Sequence, residues 1–132
     1  MFSLIFSWKD HNPVPYKRTT QRQKYVDEDY KKYQQWKAIV YFSFIKQLGK
    51  SPQNFFKKDQ KYYVDIMIYF KDRTHGDSDN IMKGVLDAIF QKPLTDKYIA
   101  GSFDYQYDKK NPRVEVKISE NRIINDEKRS TF

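Results

Sequence analysis

The chain has 132 residues and a mass of 16.1 kDa, the size of one domain with a core of its own. It contains no cysteine, which excludes disulfides, thiolate-bound zinc, iron–sulfur clusters and a cysteine nucleophile, while an aromatic content of 17% argues against intrinsic disorder. Lys and Arg outnumber Asp and Glu by 25 to 17, and a net charge of +8 draws such a chain toward polyanions, nucleic acid ahead of acidic membrane.

The opening MFSLIFSWKD is short and lacks a basic start, so Phe2 to Trp8 reads as a first strand rather than a signal peptide. The segment HNPVPYKRTTQR follows, and its prolines forbid both a continued ladder and an early helix. It is expected to be an extended basic loop, carrying Lys17, Arg18 and Arg22 either onto phosphates or simply into solvent. From about Lys24 to Leu48 there is no Pro or Gly, and Tyr33, Trp36, Val40, Phe44 and Leu48 recur at three- and four-residue spacing. That is an amphipathic helix with a core-facing aromatic stripe, stopped by Gly49 with Pro52 beyond. Lys61 to Phe70 reads as a central strand with Val64, Ile66, Ile68 and Phe70 on its buried face, ending where Lys71 and Arg73 bring charge back. A second helix is predicted from about Asp79 to Phe90. Strands over about Tyr98 to Tyr107 and Arg113 to Ser119, joined by the polar turn DKKNP, are expected to form a hairpin. The tail from about 120 to 132 loses periodicity and is expected to fray. The resulting class is α+β: one domain over 1–132, with a mixed sheet in the order β-α-β-α-β-β packed with two helices. No apolar run approaches the ~18 residues of a membrane span, so no membrane partner and a cytoplasmic location are expected.

The chemistry is concentrated in HGDSDNIMKGVLDAIF and the following LTDKY. Asp77 and Asp79 are two apart at the mouth of a strand, where extended chain projects both carboxylates to one side. Gly76 permits a tight turn, and Ser78 or Asp79 can cap the helix. Lys83 and Asp87, four apart on that helix, share a face and can touch. Asp96, in the loop after the helix, can bring back a third carboxylate. Clustered carboxylates in a basic chain repel one another unless a hard divalent cation joins them, and Mg²⁺ takes one or two carboxylates while keeping waters and substrate phosphate oxygens. Lys83 would stabilise charge developing on the phosphate. Helix capping and a chance D-x-D pair are the bland alternative. His11 and His75 lack the partners for a zinc site, and His75 is expected to be a solvent-exposed loop residue. Without GxxxxGK[ST] or GxGxxG, no nucleotide cofactor is expected.

The string Asp77-Ser78-Asp79-Asn80, followed by Lys83, Leu86-Asp87-Ala88 and Asp96, resembles the RusA family of Holliday junction resolvases, as does the proline loop Pro13-Val14-Pro15-Tyr16-Lys17-Arg18. The resemblance implies a RusA-like fold and a homodimeric, Mg²⁺-dependent endonuclease, with Mn²⁺ as a possible substitute. Its expected partner is four-way junction DNA, nicked at two opposed strands in recombination and repair. Carried over by position, it makes Asp77, Asp79 and Asp96 the metal carboxylates and Lys83 the catalytic lysine, with Asp87 orienting Lys83 and Asn80 in support. Lys17, Arg18, Arg22, Lys71 and Arg73 are the expected DNA contacts. Many members carry an acidic pair where this chain has Thr95-Asp96, which leaves one carboxylate there. The alternatives are a non-catalytic DNA-binding protein on the same fold, and an RNA or flap nuclease using the same centre.

Overall fold

The computed structural model describes residues 1–17, 27–57, 60–90 and 99–120. Strand β1 (Phe2–Phe6) leads through the proline loop to helix α1 (Glu28–Leu48). The Asp27 side chain caps α1 by accepting from the Tyr30 N–H at 3.0 Å, and Glu28 and Asp29 place negative charge against the helix's positive end. Gly49 ends it in the left-handed region at φ 74°, donating its N–H to the Ile45 carbonyl. The expected stripe is buried at Tyr33, Trp36, Val40 and Phe44.

A third helix, not expected from the sequence, follows at once. Pro52–Phe55 forms the single turn α2, with Pro52 occupying the first position, where a missing N–H costs nothing. The proline marks both the end of one helix and the start of another. The segment brings Phe55 and Phe56 onto Phe44, Tyr62 and Phe90, with ring centroids 4.3 to 5.7 Å apart.

Strand β2 (Tyr62–Phe70), helix α3 (Ser78–Ile89), strand β3 (Ile99–Tyr107) and strand β4 (Arg113–Ser119) complete the described chain. One mixed four-stranded sheet results, ordered β1-β4-β2-β3. The fold is therefore α+β as expected, but the hairpin between the last two strands does not form. β3 pairs with β2 in parallel, β4 pairs with β2 antiparallel, and β2 lies between them. The crossover through α3 sets β3 parallel beside β2. The other side of β2 is left for β4, and β4 in turn receives β1. The turn after Tyr107 passes the end of β2, where the Asp108 N–H bonds to the Phe70 carbonyl at 2.8 Å.

Helix α1 packs on β1 and α3, and α3 packs on β2 and β3, so the helices cover one face of the sheet. Leu4, Phe6, Val64, Ile66, Ile68, Phe70, Val114, Val116 and Ile118 point into that layer and are buried. The alternate residues of β4, from Arg113 to Lys117, face the open side. No helix among the described residues is long and apolar enough to cross a membrane.

Candidate active site

The acidic motif lies where β2 gives way to α3, at the carboxyl end of a strand with a parallel neighbour, a position that open sheets use for ligands. Asp77 is the N-cap residue of α3, one position before Ser78 and two before Asp79, the caps expected from the sequence. Its backbone is extended (φ −65°, ψ 140°), yet its side chain makes no capping bond. The Asp77 carbonyl accepts the Asn80 and Ile81 N–H groups instead, each at 3.0 Å. Asp79 lies inside the first helical turn, so the two carboxylates are not related by extended chain as expected. Both belong to the start of α3, and both side chains are exposed. Among the described residues, neither carboxylate takes part in an ion pair or side-chain hydrogen bond.

Lys83 follows Asp79 by four residues, one turn along the same helical face. Its ammonium sits over the Tyr16 ring, 4.5 Å from the centroid. The expected contact between Lys83 and Asp87 is not made. Asp87 faces α1, where its Oδ2 accepts from the Tyr33 hydroxyl at 3.0 Å and from Lys37 Nζ at 3.1 Å. Two donors on the packed helix outcompete one flexible lysine on its own. The Tyr33 hydroxyl is consequently held protonated far above its ordinary range, first by burial and then by the adjacent Asp87 charge. The Asn80 carbonyl accepts the Tyr16 N–H at 2.9 Å and pins the proline loop to α3.

Two glycines permit that docking. A Cβ on Gly76 would fall 2.8 Å from Pro15 Cγ, and one on Gly84 would fall 3.2 Å from Tyr33 Cε1 and 3.3 Å from the Tyr16 nitrogen. Gly76 thus serves close packing rather than the tight turn read from the sequence. Asn12 ties the same loop to the chain after β2, donating to Asp72 Oδ1 (3.1 Å) and the Thr74 carbonyl (2.9 Å) while accepting the Lys71 N–H. Between these segments opens a cleft of about 460 Å³, lined among others by His11, Lys17, Lys32, Lys71 and Gly76, the residue before Asp77.

His75 is not the solvent-exposed loop residue expected. It is half-buried, stacked on Phe70 with ring centroids 3.5 Å apart, with Nδ1 2.7 Å from the Gly76 carbonyl and Nε2 3.0 Å from the Tyr107 hydroxyl. A carbonyl can only accept, so Nδ1 carries the proton, and in the neutral ring Nε2 accepts from Tyr107. The segment leading into Asp77 is thereby fixed on the core.

Of the expected DNA contacts, Lys17 is 3.9 Å from Asp27, Lys71 Nζ donates to the Asp10 carbonyl at 3.1 Å, and the Arg73 guanidinium lies 5.6 Å from the Tyr107 ring centroid. Arg18, Arg22 and Asp96 lie outside the described residues. Among the described residues no group of three or more acidic or histidine side chains is gathered so as to hold a metal. The expected trio includes Asp96, so its convergence rests on a residue beyond that description. Sequence reasoning gave Tyr16 and Asn12 no role of their own within the basic proline loop. The signal that could have found them is a pair of prolines holding polar and aromatic side chains in one extended frame.

A search of the curated proteins finds no match to the chain. The family model described as endodeoxyribonuclease RusA matches residues 10–119, running from the proline loop through the acidic motif to the end of β4. The match takes in the docked loop, the paired carboxylates and the lysine together, and the chain belongs to the RusA family of endodeoxyribonucleases.

Proposed function

We propose that this chain is a Mg²⁺-dependent endonuclease that resolves four-way DNA junctions, acting as a homodimer that makes paired symmetric nicks in recombination and repair. The observation that carries the reading is the pair Asp77 and Asp79 at the start of α3, unpartnered among the described residues, in a chain of the RusA family. Two exposed, unpaired carboxylates are hard oxygen donors whose mutual repulsion a divalent cation relieves, so the donor set fits Mg²⁺, with Mn²⁺ able to replace it. Asp77 and Asp79 would hold the ion, and Asp96 is proposed as the third ligand. When bound, the ion supplies Lewis-acid polarisation of the phosphate and a more acidic water.

The chain's own groups do the rest. Lys83, one turn beyond Asp79, presents an ammonium where negative charge develops on the phosphate oxygens. The open N–H groups of the first turn of α3 add partial positive charge at the same place. Lys17, Lys71 and Arg73, with Arg18 and Arg22, hold the flanking phosphates and set the strand's register. A junction with two-fold symmetry calls for two equivalent sites, and a pair of these chains supplies them.

The test is a synthetic four-way junction resolved on a denaturing gel. Nicked strands are expected with Mg²⁺ and none with a chelator. Asp77→Asn and Asp79→Asn should each lower cleavage about 100-fold or more while junction binding is retained, because losing negative charge does not weaken affinity for DNA. Variants that cut at the normal rate would remove these residues from the chemistry. Binding without any product from the native chain would leave a DNA-binding protein in place of an enzyme.

A further inference from the structure

Among the described residues, no carboxylate holds Lys83. Asp87, one turn ahead on its helix, is occupied by Tyr33 and Lys37, and no ion pair among the described residues includes Lys83. What lies against its ammonium is an aromatic face, that of Tyr16 at 4.5 Å, well inside the ~6 Å at which a cation feels a ring's quadrupole. That ring is itself fixed from several directions. The Tyr16 N–H bonds to the Asn80 carbonyl at 2.9 Å. The preceding Pro15 rests where a Cβ on Gly76 would be. The ring meets Tyr33 edge to face, with centroids 5.4 Å apart and planes at 68°. Tyr33 is anchored in turn by its bond to Asp87. Asp87 thus reaches Lys83 through two rings rather than by contact.

We propose that Tyr16 is a positioning residue for Lys83, its ring face fixing the ammonium beside the acidic motif while leaving its charge and its three N–H donors available to a phosphate. The proposal rests on the role given to Lys83 above. The physical advantage over a carboxylate partner is direct. A carboxylate would take up the ammonium's donors and cancel the charge that a polyanionic substrate needs, whereas a ring restricts the side chain and does neither. DNA bound over the site would exclude water and strengthen the contact.

An isosteric series tests this without disturbing the loop. Tyr16→Phe keeps the ring face, and replacement of Tyr16 by pentafluorophenylalanine keeps the shape but reverses the quadrupole. The Phe variant is expected to retain most of the native kcat. The fluorinated variant should lose about 3- to 30-fold in kcat with junction affinity unchanged, and nothing further when introduced into Lys83→Met. A second readout needs neither metal nor DNA: the Lys83 ε-methylene protons should show an upfield ring-current shift in the native chain that Tyr16→Leu abolishes. Equal kcat for the Phe and fluorinated variants, an equal fluorination loss in Lys83→Met, or absence of the ring-current shift overturns the positioning role and leaves the nuclease reading standing. A normal kcat for Lys83→Met itself overturns the role of Lys83 and the proposal with it, even where the ring-current shift persists.

Discussion

Gly76 and Gly101 look alike in the sequence, yet different neighbours surround them. Gly101 pairs with Val64 in the parallel ladder, and a Cβ there would lie 1.7 Å from the Val64 carbonyl oxygen. That oxygen belongs to the central strand and cannot yield. At Gly76 the nearest atoms are those of the Pro15 ring, at 2.8 and 2.9 Å, side-chain atoms rather than strand backbone. Gly101→Ala is accordingly expected to lose about 3 kcal/mol or more of stability, and Gly76→Ala about 1 kcal/mol. Urea denaturation followed by circular dichroism reads both, and equal midpoints for the two variants would contradict the packing described. The acidic motif was legible as a family signature because the spacing of its carboxylates and lysine is local. The reason for Gly76 was not, since Pro15 lies far up the chain. Nor was the helix start at Asp77, because Asp, Ser and Asp in succession are each acceptable caps.

Helices α1 and α3 are clasped through Asp87. The Tyr33 hydroxyl, on a side chain buried in the core, donates to Asp87, which Lys37 also reaches. Burial and the Asp87 charge raise the Tyr33 pKa above its unfolded value of about 10. The linkage sign follows from that direction. The contribution is fully present below about pH 10, where the unfolded tyrosine is also neutral, and falls as pH rises above it and only the unfolded form ionises. Tyr33→Phe should cost about 1 kcal/mol near pH 7, a modest figure because Asp87 is half exposed to water. Its deficit should shrink toward about pH 11, and chemical denaturation of both proteins at the two pH values measures it. A deficit that stays constant or widens would show that the hydroxyl is not held neutral by this contact. The elements themselves were largely legible. The aromatic stripe of α1, the alternation of β4 and the apolar face of β2 all follow from periodicities of 3.6 and 2. The pairing of β3 with β4 was misread because a short polar turn predicts that two strands are close, not that they are adjacent. β2 fits between them, and nothing local in DKKNP distinguishes a hairpin turn from one that passes the end of a third strand.

For the whole molecule, the net charge of +8 matters through its placement rather than its size. Lys17 and Lys71 line the cleft beside the acidic motif, and Arg73 stands exposed on the same loop as Lys71. Composition made a polyanionic partner legible, but it could not separate these cations from a solvated surface, because exposure and proximity to a site are properties of the folded chain. Lys117, exposed on the open face of β4, is a natural comparison. Each cation that neutralises one phosphate releases counterions, and the logarithm of affinity then falls with the logarithm of salt by about 0.9 per contact. Lys71→Ala and Arg73→Ala are each expected to make that slope shallower by about 0.9 and to weaken junctions of different sequence equally, since phosphate contacts carry no base information. Lys117→Ala should leave the slope unchanged. Fluorescence anisotropy with a labelled junction across a salt series measures all of them. A slope altered by Lys117→Ala, or unaltered by Lys71→Ala and Arg73→Ala, would place the DNA on the open face of the sheet, away from the carboxylates, and a strand bound there could not be cut at α3.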